Sequence, residues 1–120
     1  MHILIDECLP TRCRTWFPGH TVETVEFRGW KGVLNGALLA CAVEAGFDVL
    51  LTADRRMYRQ HDFSRLPLAV VVTPGNRLRA LNDLRDSIVA AVKRATPGDY
   101  VEVPGPRTAD GTLDGSATAS

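Results

Sequence analysis

No stretch of this sequence comes near the roughly 20 consecutive apolar residues that a membrane helix needs, and Asp6 interrupts anything resembling a signal-peptide core. A soluble, cytoplasmic protein with no membrane partner is the expectation. Cysteine is scarce as well: Cys8, Cys13 and Cys41 are an odd number without metal-ligand spacing. That excludes a disulfide framework and a structural zinc site and reads as reduced thiols. An excess of charge of one sign is also missing. Fourteen basic residues meet 14 acidic ones for a formal net charge of zero, so no global basic footprint announces nucleic acid, and any such contact must rest on local charge. Lysine is nearly absent, because 12 of the 14 basic residues are arginine. Guanidinium forks suit phosphate, although the codon bias of a GC-rich genome produces the same excess.

What is present is one domain's worth of chain. With 120 residues, 45% of them hydrophobic, the protein is long enough to bury a single core and needs no second domain. From Pro104 to Ser120 the only large apolar residue is Leu113 among Gly, Pro, Ser, Thr, Ala, Asp and a single Arg. Such a segment cannot offset the entropy of ordering, so residues 1–103 are read as the domain and 104–120 as a disordered tail.

Within the domain, short apolar runs alternate with helical patterns. Strands are expected at His2 to Ile5, His20 to Val25, Val49 to Leu51, Leu68 to Val72 and Tyr100 to Val103. Helices are expected from Leu9-Pro10 to about Phe17, from an Asn35 N-cap through Ala45 with Gly46 as its stop, and from about Leu78 to Lys93. Phe27 to Leu34 reads as a loop, and Arg55 to about Phe63 as a short irregular helix or loop. The βαβ series predicts a three-layer α/β/α domain with a mostly parallel central sheet of four to five strands. A chain reversal after the second strand gives the order 2-1-3-4-5, with the switch point between the first and third strands.

Asp6 and Asp54 follow those two strands and therefore meet at the carboxyl edge, where open α/β sheets bind ligands. Carboxylates gathered in a confined place repel one another unless a cation or a shared proton intervenes. That points to a divalent metal, Mg2+ or Mn2+. Asp6 has an alternative use as a cap for the next helix. Glu7 alternates away from Asp6 and sits where a helix dipole favours an acid, so it is read as a helper ligand. Thr52, in the Thr52-Ala53-Asp54 turn, offers a hydroxyl to a metal-bound water, and Asn35 an amide oxygen, although capping alone explains Asn35. Asp48 starts its strand at the opposite end of the sheet and is structural. Arg55, Arg56 and Arg59, with Arg77 and Arg79 in the first turn of the last helix, form a positive rim suited to phosphodiester contacts. Of the two tryptophans, Trp16 fits an apolar helix face, and Trp30 is the candidate exposed platform for stacking on bases.

Three segments together resemble one family. Ile3-Leu4-Ile5-Asp6-Glu7-Cys8-Leu9-Pro10, Asn35-Gly36-Ala37-Leu38-Leu39 and Gly46-Phe47-Asp48-Val49-Leu50-Leu51-Thr52-Ala53-Asp54 look like the PIN-like proteins of unknown function, relatives of the PIN-domain ribonucleases that include VapC-type toxins. The resemblance runs from Met1 to about Val103. It implies a metal-dependent ribonuclease in which Asp6 is the first-strand acid and Asp54 the acid of the Thr-x-Asp turn, with Mg2+ or Mn2+ activating water against an RNA phosphodiester. It also implies a toxin role, with a small antitoxin protein as partner and a homodimer as one assembly. The chain departs from the pattern at the site itself. Relatives commonly place an aspartate and a glutamate where Asn35 and Ala37 stand, and another acid where Arg55, Arg56 and Met57 stand. Two well-placed carboxylates remain, which suffices for one Mg2+ completed by water and substrate phosphate but makes a two-metal site hard to build.

Two other readings compete. A catalytically degenerate PIN-like binding module would keep the fold and act through a protein partner, its acidic groove taking an arginine from an antitoxin peptide. A receiver-like phosphoacceptor domain would also place acids after the first and third strands, but Pro104-Gly105-Pro106 stands where such a domain needs a lysine.

Overall fold

The computed structural model describes residues 1–55 and 65–105. Five strands form one sheet: β1 (His2–Ile5), β2 (Thr21–Thr24), β3 (Val49–Thr52), β4 (Ala69–Val72) and β5 (Tyr100–Glu102). Their order is β2-β1-β3-β4-β5 and every pairing is parallel, as the alternation of strand and helix patterns predicts. Burial grades outward from the centre. All four residues of β3 and of β4 are buried, whereas the edge strands β2 and β5 contain no buried residue. This is why Val49-Leu50-Leu51 and Val70-Val71-Val72 read as continuous apolar runs while Thr21-Val22-Glu23-Thr24 alternates.

Strand periodicity separates two apolar clusters. Leu4, Leu50, Val70 and Val72 pack with Leu38, Leu39 and Ala42 of helix α1 (Asn35–Glu44) and with Val25, Phe47 and Leu68. Ile3, Ile5, Val49, Leu51, Ala69 and Val71 pack with the other helical segments. These are a 3-10 helix (Thr11–Trp16), α2 (Leu78–Asp83) and α3 (Arg85–Arg94), which contribute Cys13, Trp16, Leu81, Ile88, Ala91 and Val92. Helices thus flank a parallel sheet. No helix among the described residues is long and apolar enough to cross a membrane.

Three helical expectations are corrected. The segment after Pro10 is a 3-10 helix, and its buried residues Cys13 and Trp16 stand three apart, the period at which a 3-10 helix stacks side chains on one face. The expected single helix from Leu78 to Lys93 is broken at Leu84, whose φ of −106° and ψ of 8° leave the helical region. Asn82 and Asp83 precede the break, and such side chains favour turns over helix interiors. Asn35 is not a cap. Leu34 holds that position without a side-chain bond, and Asn35 is the first helical residue. The other end of α1 behaves as read from Gly46, whose φ is +85°. There the Gly46 N–H donates to Val43 O and the Phe47 N–H to Ala42 O, the Schellman pairing that only a left-handed residue allows cheaply. The expected Arg55 to Phe63 segment, apart from Arg55, and the tail from residue 106 onward lie outside the described residues.

Candidate active site

The ladder that joins β1 to β3 continues one step past the strands, with the Asp6 N–H donating to Leu51 O at 2.9 Å. Because Ile5 pairs with Leu51, this step sets Asp6 beside Thr52 at the carboxyl edge. Both side chains are buried, Asp6 at 8% exposure and Thr52 at 0%. The Thr52 hydroxyl donates to Asp6 Oδ2 at 2.6 Å and accepts the Asp54 N–H at 3.1 Å, while the Glu7 N–H donates to Asp6 Oδ1 at 2.7 Å. One hydroxyl therefore links the Asp6 carboxylate to the turn that carries Asp54, a partly buried residue.

Asp6, Thr52 and Thr73 are the buried polar side chains among the described residues. They follow or end β1, β3 and β4, so every one lies along the same edge. Thr73 extends the row: its N–H donates to Thr52 O at 2.8 Å and its hydroxyl to Gly75 O at 2.6 Å. The sequence reading gave Thr73 no place in the site. Its signal was a hydroxyl residue directly after the apolar run ending at Val72, the position that Asp6 holds after Ile5.

Asp6 has no basic side chain within ion-pair distance among the described residues; both ion pairs there converge on Glu23. Neutral donors alone satisfy a buried carboxylate poorly, because desolvating a charge costs several kcal/mol unless an opposite charge offsets it. Cys8 closes the near side. Its Sγ accepts the Ala53 N–H at 3.4 Å and lies 3.7 Å from Thr52 Oγ1. Thr52 has already given its proton to Asp6, so the thiol is the donor in that contact. Burial pushes the Cys8 thiol above its ordinary pKa, with the Asp6 charge adding to the rise and the Ala53 N–H opposing it. Cys8 is thus an uncharged wall of the site.

Other expected residues fall as follows. Glu7 is exposed, and its Oε1 accepts the Gly32 N–H at 2.9 Å, which ties the site to the glycine loop after β2. Asp48 is structural as expected, its Oδ2 accepting the His2 N–H at 2.7 Å. Arg55 is exposed, Arg77 caps α2 and Arg79 is the second residue of that helix, both exposed. Arg56 and Arg59 lie outside the described residues. Trp30 is not the open platform expected of it. It is half-buried, edge-on to Phe47 with ring centroids 6.1 Å apart, and Arg28 covers its ring at 4.7 Å. The open aromatic of that loop is Phe27, 77% exposed, on a backbone held by Thr24 Oγ1 accepting the Phe27 N–H at 3.0 Å.

Among the described residues, no group of three or more His, Cys, Asp or Glu side chains is arranged to hold a metal ion. The donors at the edge are nonetheless of the right kind for one hard cation: carboxylate and hydroxyl oxygens around a buried acid that has no counter-ion among the described residues. Fold and edge together define an open parallel α/β protein with a carboxylate-hydroxyl site at its topological switch point. Compared with known proteins, the chain matches no family model, no curated protein and no solved structure.

Proposed function

We propose that this protein is a PIN-like, metal-dependent ribonuclease of the cytoplasm, acting as the toxin of a toxin–antitoxin pair. The observation that carries the reading is the buried Asp6 carboxylate, held by neutral donors at the sheet's carboxyl edge and joined through Thr52 to the Asp54 turn. Asp6 and Asp54 would hold Mg2+ or Mn2+, with Glu7 as a helper. When bound, the ion supplies a water of lowered pKa and positive charge against a phosphodiester. The rest belongs to the chain. Thr52 fixes the rotamer of Asp6 by donating to Oδ2, and the Glu7 N–H fixes the other oxygen. Cys8 and Thr73 limit water at the inner side. Arg55, Arg56, Arg59 and Arg77 hold the flanking phosphates, and Phe27 takes the base-stacking role expected of Trp30.

The lack of a third ligating acid among the described residues favours a second reading, a degenerate binding module whose edge takes a basic side chain from a protein partner. In that case an antitoxin arginine would supply the charge that Asp6 lacks among the described residues. The receiver-like reading gains nothing, since Val103-Pro104-Gly105 follows β5 where its lysine would stand.

The deciding experiment is cleavage of a mixed structured RNA pool by purified protein with Mn2+, with EDTA and Asp54→Asn as controls. Cleavage lost in both controls is the expected result. A folded protein that cleaves nothing with Mn2+ would remove the nuclease reading and leave the binding module.

A further inference from the structure

A second site lies away from the acidic edge, in a groove of about 610 Å3 between the 3-10 helix and the junction of α2 and α3. Arg12, Thr15, Trp16 and Pro18 line one wall, and Asn82 and Arg85 the other. The size falls within the roughly 300–1,000 Å3 of ordinary ligand sites, and its charge is of one sign. Neither guanidinium has a carboxylate within ion-pair distance among the described residues, where the only arginine so paired is Arg28. Two cations lining one groove without a counter-ion repel each other, and a bound anion removes that cost. The break at Leu84 makes Arg85 the first residue of α3, with Asp86 beside it in the first turn, and Asp86 is not among the residues that line the groove.

We infer that this groove binds the phosphodiester backbone of a polynucleotide, as an anchoring site separate from the Asp6 edge. Two guanidinium forks on opposite walls suit successive phosphates. The neutral side chains of Asn82 and Thr15 suit ribose hydroxyls and base edges. The preference for an anion follows from the charge of the groove's lining, whereas the choice of RNA rests on the nuclease reading. Both arginines are exposed, so replacing them leaves the core untouched.

The test is fluorescence anisotropy of a labelled oligouridylate in EDTA, where no metal-dependent cleavage occurs, across a salt titration. Arg12→Gln with Arg85→Gln is expected to weaken binding at least about tenfold at low salt and to lower the salt slope by about 1.4, at roughly 0.7 per single-strand phosphate contact. Arg94→Gln removes the same charge from the far end of α3 and is expected to leave the slope unchanged. Arg12→Lys with Arg85→Lys is expected to keep the slope. No binding by the unaltered protein would overturn the inference, as would an equal loss in Arg94→Gln. Oligoglutamate binding with the same dependence on both arginines would overturn it in favour of an acidic peptide. Because metal is absent throughout, none of these results depends on whether the acidic edge cleaves RNA.

Discussion

Asp6 and Glu23 stand on neighbouring parallel strands, one just past β1 and one within β2, and the fold treats them differently. Glu23 accepts from His2 Nε2 at 2.6 Å and from Arg28 Nη1 at 3.3 Å. These partners, His2 foremost, hold its carboxyl below the ordinary value against the opposing effect of burial. Arg28 in turn covers Trp30 and Phe47, and His2 stacks on Phe47 at 3.8 Å. The acid held by an imidazole and a guanidinium is therefore a rivet between β1, β2 and the following loop. Asp6 is more buried and, among the described residues, is held by an N–H and a hydroxyl. Among the described residues the fold supplies counter-charge to one acid and none to the other, at the edge where parallel sheets bind ligands, and that contrast makes Asp6 the functional candidate.

The sharpest break in the comparison comes from paired substitutions. Asp6→Asn is expected to reduce Mn2+-dependent RNA cleavage by about 100-fold or more, because it removes a ligand of the ion that would stabilise the transition-state charge; Glu23→Gln should leave the rate per folded molecule within about twofold. Equal losses in both would erase the distinction. Next in size is metal linkage. At Mn2+ about 100 times above its Kd, binding stabilises the folded state by ~2.7 kcal/mol, read as a rise in Tm for the unaltered protein and for Glu23→Gln, with none for Asp6→Asn. A rise that persists in Asp6→Asn would place the ion elsewhere.

Thr52→Val keeps the side chain's shape and strips its hydroxyl, leaving Asp6 Oδ2 and the Asp54 N–H without their shared partner. The expected cost is about 1–3 kcal/mol, measured by urea unfolding, with Thr52→Ser recovering most of it. A neutral Thr52→Val would mean that the hydroxyl does not organise the edge. The smallest effect concerns acid stability. Glu23 is depressed in the folded state, so its contribution is present above its unfolded value of about 4.5 and is lost as pH falls through the lower folded value. Glu23→Gln should flatten the fall in stability below about pH 4.5; an unchanged acid limb would show that the His2 and Arg28 contacts do not persist in solution.

Much of this architecture was legible from residue order. Continuous apolar runs marked β3 and β4 because strands buried on both faces need no alternation, and Gly46 marked the end of α1 because that position requires a positive φ. Asp6 and Asp54 were legible as edge residues for the same reason: each follows a run whose end is the sheet's carboxyl side. The misreadings share a cause. Leu78, Leu81, Leu84, Ile88 and Val92 keep a helical period through the break at Leu84, since apolar spacing reports which face is buried and not whether the backbone is continuous. Trp30 stood between two glycines in a loop, and only packing revealed that Phe47 and Arg28 enclose it while Phe27 stays open.

The order of elements, the parallel sheet and the edge on which its acids stand were determined by local pattern and chain connectivity, because period, turn residues and strand polarity are properties of neighbours in the chain. Which acid received a guanidinium, which hydroxyl bridged Asp6 to Asp54 and which arginines were left facing one groove were decided by tertiary structure alone. Those relations join residues as far apart as Asp6 and Thr52 or Arg12 and Arg85, and charge compensation acts over a few ångströms of space, which sequence separation does not encode.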